Sequence, residues 1–206
     1  PASRRAQFSW ALFDWANQPY FTLVTTFIFA PYFTSHVVGN AIRGQELWGY
    51  GQAVAGLCIA LLSPVMGAMA DASGPRKPWI LSFQALCVLA CAGLWLALPG
   101  ASDRDLVQIL GLVVLASVGA EFATVFNNAM LPGLVAQARL GRLSGYAWAL
   151  GYLGGLVSLG FVLGGFSLPE VPLFGLDKAS HEHDRMVGPL SAIWMIVFIL
   201  PLMLFT

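Results

Sequence analysis

Charge is the scarcest property of this chain, since Lys, Arg, Asp and Glu together make up 10% of its 206 residues. A soluble domain normally carries about 25% charged residues, so this chain has too few to hydrate a globule. Hydrophobic residues make up 58% of it, and the mean hydropathy is +0.74. Lipid must therefore be the solvent for much of its outer surface. Ten basic residues balance ten acidic ones, so we predict no nucleic-acid surface.

Cysteine is also scarce, and its three copies, Cys58, Cys87 and Cys91, all lie inside apolar runs. Cys87 and Cys91 are four residues apart and would share one face of a helix, which is compatible with a disulfide or a metal pair. Free cysteine usually behaves as a small buried hydrophobe, so we favour packing.

Histidine is equally rare, and its positions argue against an enzyme. A serine or metal hydrolase inside the bilayer needs a histidine at membrane depth, whereas His36, His181 and His183 fall in predicted external loops. The run His181-Glu182-His183-Asp184 is compatible with a metal site, but a solvated polar turn is favoured. The chain lacks a Walker-type phosphate loop, which excludes ATP as the energy source within this segment. We predict no enzyme, no cofactor and no bound metal.

Long apolar runs are abundant, and each is long enough to cross a bilayer. A helix needs about 20 mainly apolar residues to do so, and strands are excluded because the runs are too long and do not alternate. We predict an all-α membrane protein in which residues 1–206 form one six-helix transmembrane bundle. The predicted spans cover residues 9–34, 46–70, 78–98, 105–130, 144–167 and 188–206.

The N-terminus is similar to a signal peptide only superficially. Arg4 and Arg5 precede an apolar stretch, as in a signal peptide, but Asp14, Asn17 and Gln18 interrupt the place of a uniform apolar core. We therefore expect a retained first helix. The chain begins without Met and stops inside an apolar run, so we expect a fragment of a longer protein.

Basic residues set the expected orientation in the membrane. Six of them fall on the side that holds the N-terminus and the loops at 71–78 and 131–143, and four fall on the other side. We place the side with six in the cytoplasm. Its basic residues are Arg4, Arg5, Arg76, Lys77, Arg139 and Arg142.

Polar side chains concentrate in the first and fourth predicted spans. An ionisable group inside a membrane helix costs about 2.5–3.5 kcal/mol on insertion scales, so it is expected to face an aqueous cavity or a partner. At about 1.5 Å of rise per residue, Asp14 and Glu121 both fall in the cytoplasmic half of the bilayer, and we expect a shared cavity. The two helical stripes are Asp14, Gln18, Thr22 and Thr25 in the first span, and Glu121, Thr124 and Asn128 in the fourth.

We predict that substrate and coupling ion bind along these two spans and the fifth. Trp148 and Tyr152 share a face of the fifth span, where they could hold a substrate side chain or simply pack. Helix capping near the headgroups is the alternative for Asp14, and interhelical hydrogen bonding is the alternative for Asn127 and Asn128. The candidate residues are Asp14, Asn17, Gln18, Tyr20, Glu121, Asn127, Asn128, Trp148 and Tyr152.

The remaining spans present different surfaces. The third and sixth contain no charge, and Gln84 is their only amide, so we expect both to face lipid. The fifth span is a ladder of small residues, which lets two backbones approach closely, and the second has a weaker version of this surface. The ladder consists of Gly141, Gly145, Gly151, Gly154, Gly155, Ser158, Gly160 and Gly164.

Between the second and third spans, residues 67–77 read GAMADASGPRK. This stretch resembles the loop signature of the major facilitator superfamily, in which glycine, aspartate, glycine and basic residues recur in that order. Basic residues are common in the family at two positions where this chain has alanine and proline. The resemblance implies a cytoplasmic latch between two helix bundles in one state of a two-state cycle. Its residues here are Gly67, Asp71, Gly74, Arg76 and Lys77.

Three longer stretches narrow the resemblance: WALFDWANQPYFTLVTTFIFAPYF at 10–33, NNAMLPGL at 127–134 and GRLSGYAWALGYLGG at 141–155. With residues 47–71 they resemble the vacuole-effluxer-like branch of this superfamily, whose fungal members export amino acids from the vacuole. The resemblance implies twelve helices in two six-helix bundles, with substrate bound between them near the midplane. This chain would be the N-terminal bundle, and the C-terminal bundle would lie outside it. In that fold the first and fourth helices line the cavity, while the second and fifth pack across the bundle interface.

We therefore predict a secondary active transporter of a small solute, for which the resemblance implies amino acids. Transport would run by alternating access through a lipid bilayer, in the plasma (inner) membrane of a bacterium or the vacuolar membrane of a fungus. A carboxylate in a low-dielectric cavity holds a proton more readily than one in water, so Glu121 and Asp14 could couple transport to protons. The alternative is a membrane sensor or scaffold that kept the transporter fold without transporting.

Overall fold

The apolar runs of the chain fold as helices, because a backbone in lipid must satisfy its own hydrogen bonds. The structure is a computed structural model that describes residues 2–72 and 74–206, and this part of the chain contains helices and no strand. The α-helices are α1 (Arg4–Pro19), α2 (Phe29–Tyr32), α3 (Ala41–Ala72), α4 (Lys77–Gly93), α5 (Asp103–Leu134), α6 (Leu140–Val162), α7 (Glu182–Arg185) and α8 (Val187–Phe205).

Five helical segments in the described residues are long and apolar enough to cross a membrane. Both α3 and α5 have 32 residues, which is roughly 48 Å at 1.5 Å per residue and exceeds the hydrocarbon thickness of about 30 Å. They extend beyond the predicted spans at 46–70 and 105–130, because hydropathy marks only the part of a helix that lies in lipid. The five segments are Ala41–Ala72, Lys77–Leu96, Asp103–Leu134, Gln137–Ser167 and Glu182–Phe205.

The first predicted span, at 9–34, is not one regular α-helix in the structure. After Pro19, α1 continues as a π-helix over Tyr20–Phe27, and a second π-helix, Phe33–Val37, follows α2. Proline lacks the backbone N–H that would bond the carbonyl four residues earlier. That carbonyl belongs to Trp15, and it accepts a hydrogen bond from Nε1 of Trp194 on α8 at 3.0 Å instead. A side chain of α8 thus replaces the missing hydrogen bond.

The long helices follow one another in space in the order α3, α5, α4, α8, α1 and α6, each packed against the next. This order places α3 and α6 at the two ends of the row. Two apolar clusters fill the interior, one around Tyr20, Phe33 and Trp48, and the other around Trp10 and Phe126. The bundle is therefore packed along its whole length, with α3 and α6 left as its outer members.

Contacts at one end of the bundle bring together the N-terminus and the loops that we expect in the cytoplasm. The backbone N–H of Ala2 donates to the carbonyl of Leu134 at 3.0 Å. Nζ of Lys77 donates to the carbonyl oxygen of Met203 at 3.1 Å, near the end of α8. Amide and ammonium donors thus meet free carbonyls at helix C-termini, where positive groups are favoured.

The opposite end gathers the other set of connections. The backbone N–H of Gly100 donates to the carbonyl of His36 at 3.0 Å, and Arg43 pairs with Asp103 at 2.7 Å. The 168–186 connection also lies here, because Nη1 of Arg185 donates to the carbonyl of Trp95 at 2.9 Å. Successive long helices therefore run in alternating directions between two distinct ends.

Candidate functional site

A cavity of about 290 Å³ opens between α1, α5 and α6. Small-molecule pockets start at roughly 300 Å³, so the volume suits a small solute. Six of the nine candidate site residues meet at this cavity, together with three others. Its lining consists of Asp14, Asn17, Gln18, Phe21, Glu121, Thr124, Trp148, Gly151 and Tyr152.

Asp14 and Glu121 bring two carboxylates to this cavity from α1 and α5. Both side chains are part-buried. Within residues 2–72 and 74–206, neither carboxylate forms a salt bridge or accepts a hydrogen bond from a side chain. A carboxylate without a protein partner at membrane depth needs water, a proton or a cationic ligand. The cavity can therefore take up protons or a positively charged group of a solute.

Asn17 is the buried polar residue of the cavity, with 3% of its surface exposed. Its Oδ1 accepts a hydrogen bond from Nε2 of Gln84 at 2.8 Å, which joins α1 to α4. Its Nδ2 has no partner among the described residues. A buried donor without an acceptor is costly, so this amide needs an acceptor that the described chain does not supply. Gln84, which we had placed on a lipid-facing span, instead points into the bundle and is buried.

Two aromatic side chains form the α6 side of the cavity. Trp148 and Tyr152 lie 5.9 Å apart between ring centroids, and they are 62% and 61% exposed. A helical spacing of four places both on one face, as expected. Neither ring is packed inside the described bundle, so both remain available to a solute or to another protein surface.

Glycines allow α6 to pack close to α1 beside the cavity. A Cβ atom at Gly151 would lie 3.1 Å from Cβ of Asp14, and one at Gly155 would lie 2.5 Å from Oγ1 of Thr22. In contrast, a Cβ at Gly160 or Gly164 would meet no atom of the described chain within 4 Å. The small-residue ladder of the fifth span therefore has one face packed on α1 and another face left open.

The polar stripe predicted for the first span lines the cavity only in part. Asp14 and Gln18 line it, but Thr22, the next member of the predicted stripe, packs against Gly155 instead. Phe21 takes the place of Thr22 in the lining. Phe21 follows Asp14 by seven residues, a spacing that places both on one face of a regular helix. The sequence analysis omitted it because the stripe was chosen from polar residues alone.

The other three candidate residues lie outside the cavity. Tyr20 is fully buried, and its hydroxyl lies 2.7 Å from Oγ of Ser117 on α5, either oxygen being able to donate. Asn127 is 1% exposed, and its carbonyl accepts a hydrogen bond from Nε1 of Trp10 at 2.8 Å. Asn128 is exposed on another face of α5. These positions join α1 to α5 or face outward.

Residues 67–72 of the predicted 67–77 loop still belong to α3, and the stretch contacts the bundle through its basic residues. Nε of Arg76 donates to the carbonyl of Ala70 at 3.2 Å, and Lys77 binds the last turn of α8. Asp71 is exposed at the end of α3 and has no salt bridge among the described residues. Gly67 and Gly74 contact nothing in the described chain that a Cβ would displace. The acidic and glycine positions of the loop are thus free to contact another surface.

Comparisons with known proteins agree with this membrane architecture. A family profile described as vacuole effluxer Atg22 like matches residues 34–140, about half of the chain. The uncharacterized MFS-type transporter YxiO of Bacillus subtilis strain 168 is 30% identical over 152 residues, which cover 72% of this chain and 35% of that protein. The chain thus spans about a third of the length of this curated relative. No solved structure matches it significantly. Its helices and its sequence together place this chain in the vacuole effluxer Atg22-like family, as part of an integral, multi-pass membrane protein of the major facilitator type.

Proposed function

We propose that this chain is the N-terminal six-helix half of a secondary active transporter that moves a small solute by alternating access. The observation that carries the proposal is the pair of carboxylates, Asp14 and Glu121, that line one cavity without a protein partner among the described residues. A transporter must bind an ion or solute near the midplane and release it, and such a cavity provides the binding groups. The family and the relative support the transporter class.

Under this proposal the helical segment from Arg4 to Val37 is the first span, and it adds to the five long apolar segments to make six. Its π-helices and its break at Ile28 are typical of membrane helices that line a cavity rather than lipid. The C-terminal half of the complete protein would then close the cavity against α3 and α6. Both helices leave large apolar side chains exposed, among them Leu57 and Leu61 on α3 and Leu156 on α6. Such surfaces fit either lipid or the second bundle.

We propose amino acids as the substrate class and protons as the coupling ion. A carboxylate and an amide donor at the cavity, from Asp14 and Asn17, match the ammonium and carboxylate groups of an amino acid. Trp148 and Tyr152 would contact its side chain. Glu121, on the facing helix, would bind a proton on one side of the membrane and release it on the other. The 67–77 loop would latch the two bundles at the cytoplasmic face.

The test is solute flux by the intact protein in proteoliposomes, measured with a panel of amino acids under an imposed pH gradient. Glu121→Gln removes the titratable group and keeps the shape, so it should abolish pH-dependent flux while membrane insertion and thermal unfolding stay unchanged. The matched control is Glu46→Gln, which alters an exposed carboxylate at the far end of α3 and should leave flux intact. Unchanged pH dependence in Glu121→Gln would contradict the coupling role. Substrate binding without any flux in the wild-type protein would favour a sensor.

A further inference from the structure

All three histidines of the chain meet at one place, at the end of the bundle opposite Lys77. His36 comes from the end of the first helical segment, and His181 and His183 come from the connection before α8. The ring centroids of His36 and His181 are 3.9 Å apart, and those of His181 and His183 are 5.8 Å apart. The ring of Tyr32 lies 5.4 Å from His181. Residues that are 145 positions apart in sequence therefore form one cluster.

The turn at 181–184 is more covered than a fully solvated turn would be. The side chains of His181, Asp184 and His183 are 23%, 20% and 15% exposed. The reason is that the connection folds back onto the bundle, where Arg185 donates to the carbonyl of Trp95 and lies over its ring at 4.6 Å. Polar groups that are this well covered need partners.

The geometry of the cluster approaches that of a metal site. Oδ2 of Asp184 lies 2.9 Å from Nδ1 of His181 and 3.4 Å from Nε2 of His183. One ligand atom from each of the three residues lies within 4.8 Å of the others. A tetrahedral Zn²⁺ site with metal–ligand distances of about 2.0–2.1 Å places neighbouring ligand atoms roughly 3.3 Å apart. Two of the three edges therefore have nearly the required length, and the third is no longer than 4.8 Å.

The backbone of the turn holds these groups in place before any ligand binds. His181 adopts a left-handed conformation with φ of 56°, which reverses the chain and brings residues 181, 183 and 184 to one side. Asp177 fixes the preceding turn, because the backbone N–H of Ala179 donates to its Oδ1 at 2.9 Å. That bond and those from Ser180 hold the pKa of Asp177 below its usual range. Nδ1 of His183 has no hydrogen-bond partner in the described chain, so the only polar contact of this ring is that of Nε2 with Asp184.

We propose that His181, His183 and Asp184 bind a divalent transition metal of the Zn²⁺ type, with one coordination position left for water. Two imidazoles and one carboxylate form a donor set that suits Zn²⁺ and its neighbours better than Ca²⁺ or Mg²⁺. Residues 177–185 contain three carboxylates and two cationic side chains, so the local charge is net negative when the histidines are neutral. Lys178 is directed away, since its Nζ donates to the carbonyl of Ser167 at 2.8 Å.

Metal binding by the intact protein in detergent tests the proposal, using an affinity tag without histidine and material that has been stripped with a chelator. Titration with Co²⁺ should give visible absorption of a tetrahedral site at one equivalent, and Zn²⁺ should displace it. Asp184→Asn and the double variant His181→Gln/His183→Gln should weaken Zn²⁺ binding about tenfold or more. Glu182→Gln removes an equal charge from the same turn without removing a ligand, so it should bind as the wild type does.

A measurement on the unaltered protein keeps the test valid if the variants fail to fold. Electron paramagnetic resonance of the Cu²⁺ complex should show hyperfine coupling to two imidazole nitrogens. Absence of binding, coupling to no nitrogen, or equal affinity in wild type and the double variant would overturn the proposal. The cluster would then be a hydrogen bond between His181 and Asp184, with His183 packed beside it. Because binding is measured without flux, the outcome is independent of whether the protein transports.

Discussion

Nε2 of Gln84 donates a hydrogen bond of 2.8 Å to Oδ1 of Asn17. This bond connects α4 to α1, and α1 forms part of the cavity wall. Both residues are almost fully buried. They lie between the two apolar clusters of the bundle, one on each side along α1 and α4. The bond thus fixes the orientation of an amide that faces the cavity.

Gln84→Met should therefore lower the free energy of unfolding by about 1–3 kcal/mol, because it leaves a buried carbonyl oxygen of Asn17 unpaired. The double variant Asn17→Leu/Gln84→Met removes both partners, so it should recover much of this stability and yet lose transport. Thermal or denaturant unfolding in detergent measures the first effect, and flux measures the second. Gln108→Met, an exposed position on α5, is the control. A Gln84→Met protein as stable as the wild type would show that the bond contributes nothing.

The difference in packing between the two faces of α6 gives a second prediction. Gly155→Ala should destabilise the bundle by about 1–3 kcal/mol, since the new methyl group would overpack against Thr22 and Gln18 of α1. Gly160→Ala adds the same methyl group where no described atom lies within 4 Å, and it should be neutral or stabilise by up to about 1 kcal/mol. The unfolding midpoints of both variants, compared with that of the wild type, measure these two effects. Equal effects at the two positions would mean that α6 does not pack on α1 as described.

The exposed ring of Trp148 predicts a change in substrate binding without a change in stability. Trp148→Ala should leave the free energy of unfolding within about 0.5 kcal/mol of the wild type. If the ring contacts the substrate, losing about 1 kcal/mol of aromatic contact should raise KM roughly fivefold. Trp148→Phe keeps a ring and should recover part of the affinity. An unchanged KM for every transported solute would remove Trp148 from the site.

Asp71 provides a test of the proposed latch. The residue is exposed and has no salt bridge among the described residues, so Asp71→Asn should leave unfolding of this bundle unchanged. A latch that binds the second bundle through one charged hydrogen bond, worth about 1.5–3 kcal/mol, would alter the transport rate roughly tenfold or more. Flux at saturating solute, compared with the Glu46→Gln control, measures it. Wild-type rates in Asp71→Asn would argue against the latch.

Sequence reasoning predicts a cavity shared by Asp14, Gln18 and Glu121, and in the structure all three line one cavity. Charged side chains such as Asp14 and Glu121 are costly in apolar helices, so their presence alone predicts that they face water. Helical spacing then places Gln18 on the same face of the helix as Asp14. The same reasoning considered polar residues only, so it omitted Phe21, which lines the cavity, and included Thr22, which packs against Gly155.

Contacts between segments that are distant in the chain could not be predicted from the sequence either. Nothing in the pattern relates His36 to the 181–184 turn, which becomes a covered cluster only because the connection folds back onto Trp95. Likewise, the ladder of the fifth span gives no indication of which glycines face α1. Gly155 and Gly160 have the same sequence signature, and only the packing distinguishes them.

Whether water reaches the α1–α5 cavity is the central physical claim, and cysteine labelling measures it directly. In the intact protein with Cys58, Cys87 and Cys91 replaced, single cysteines at Gln18 and Thr124 should react with a membrane-impermeant thiol reagent, and bound solute should slow the reaction. A cysteine at Thr22, which packs on Gly155, should react far more slowly. If neither Gln18→Cys nor Thr124→Cys reacts, with or without an imposed gradient, the cavity is dry and the transport account is contradicted.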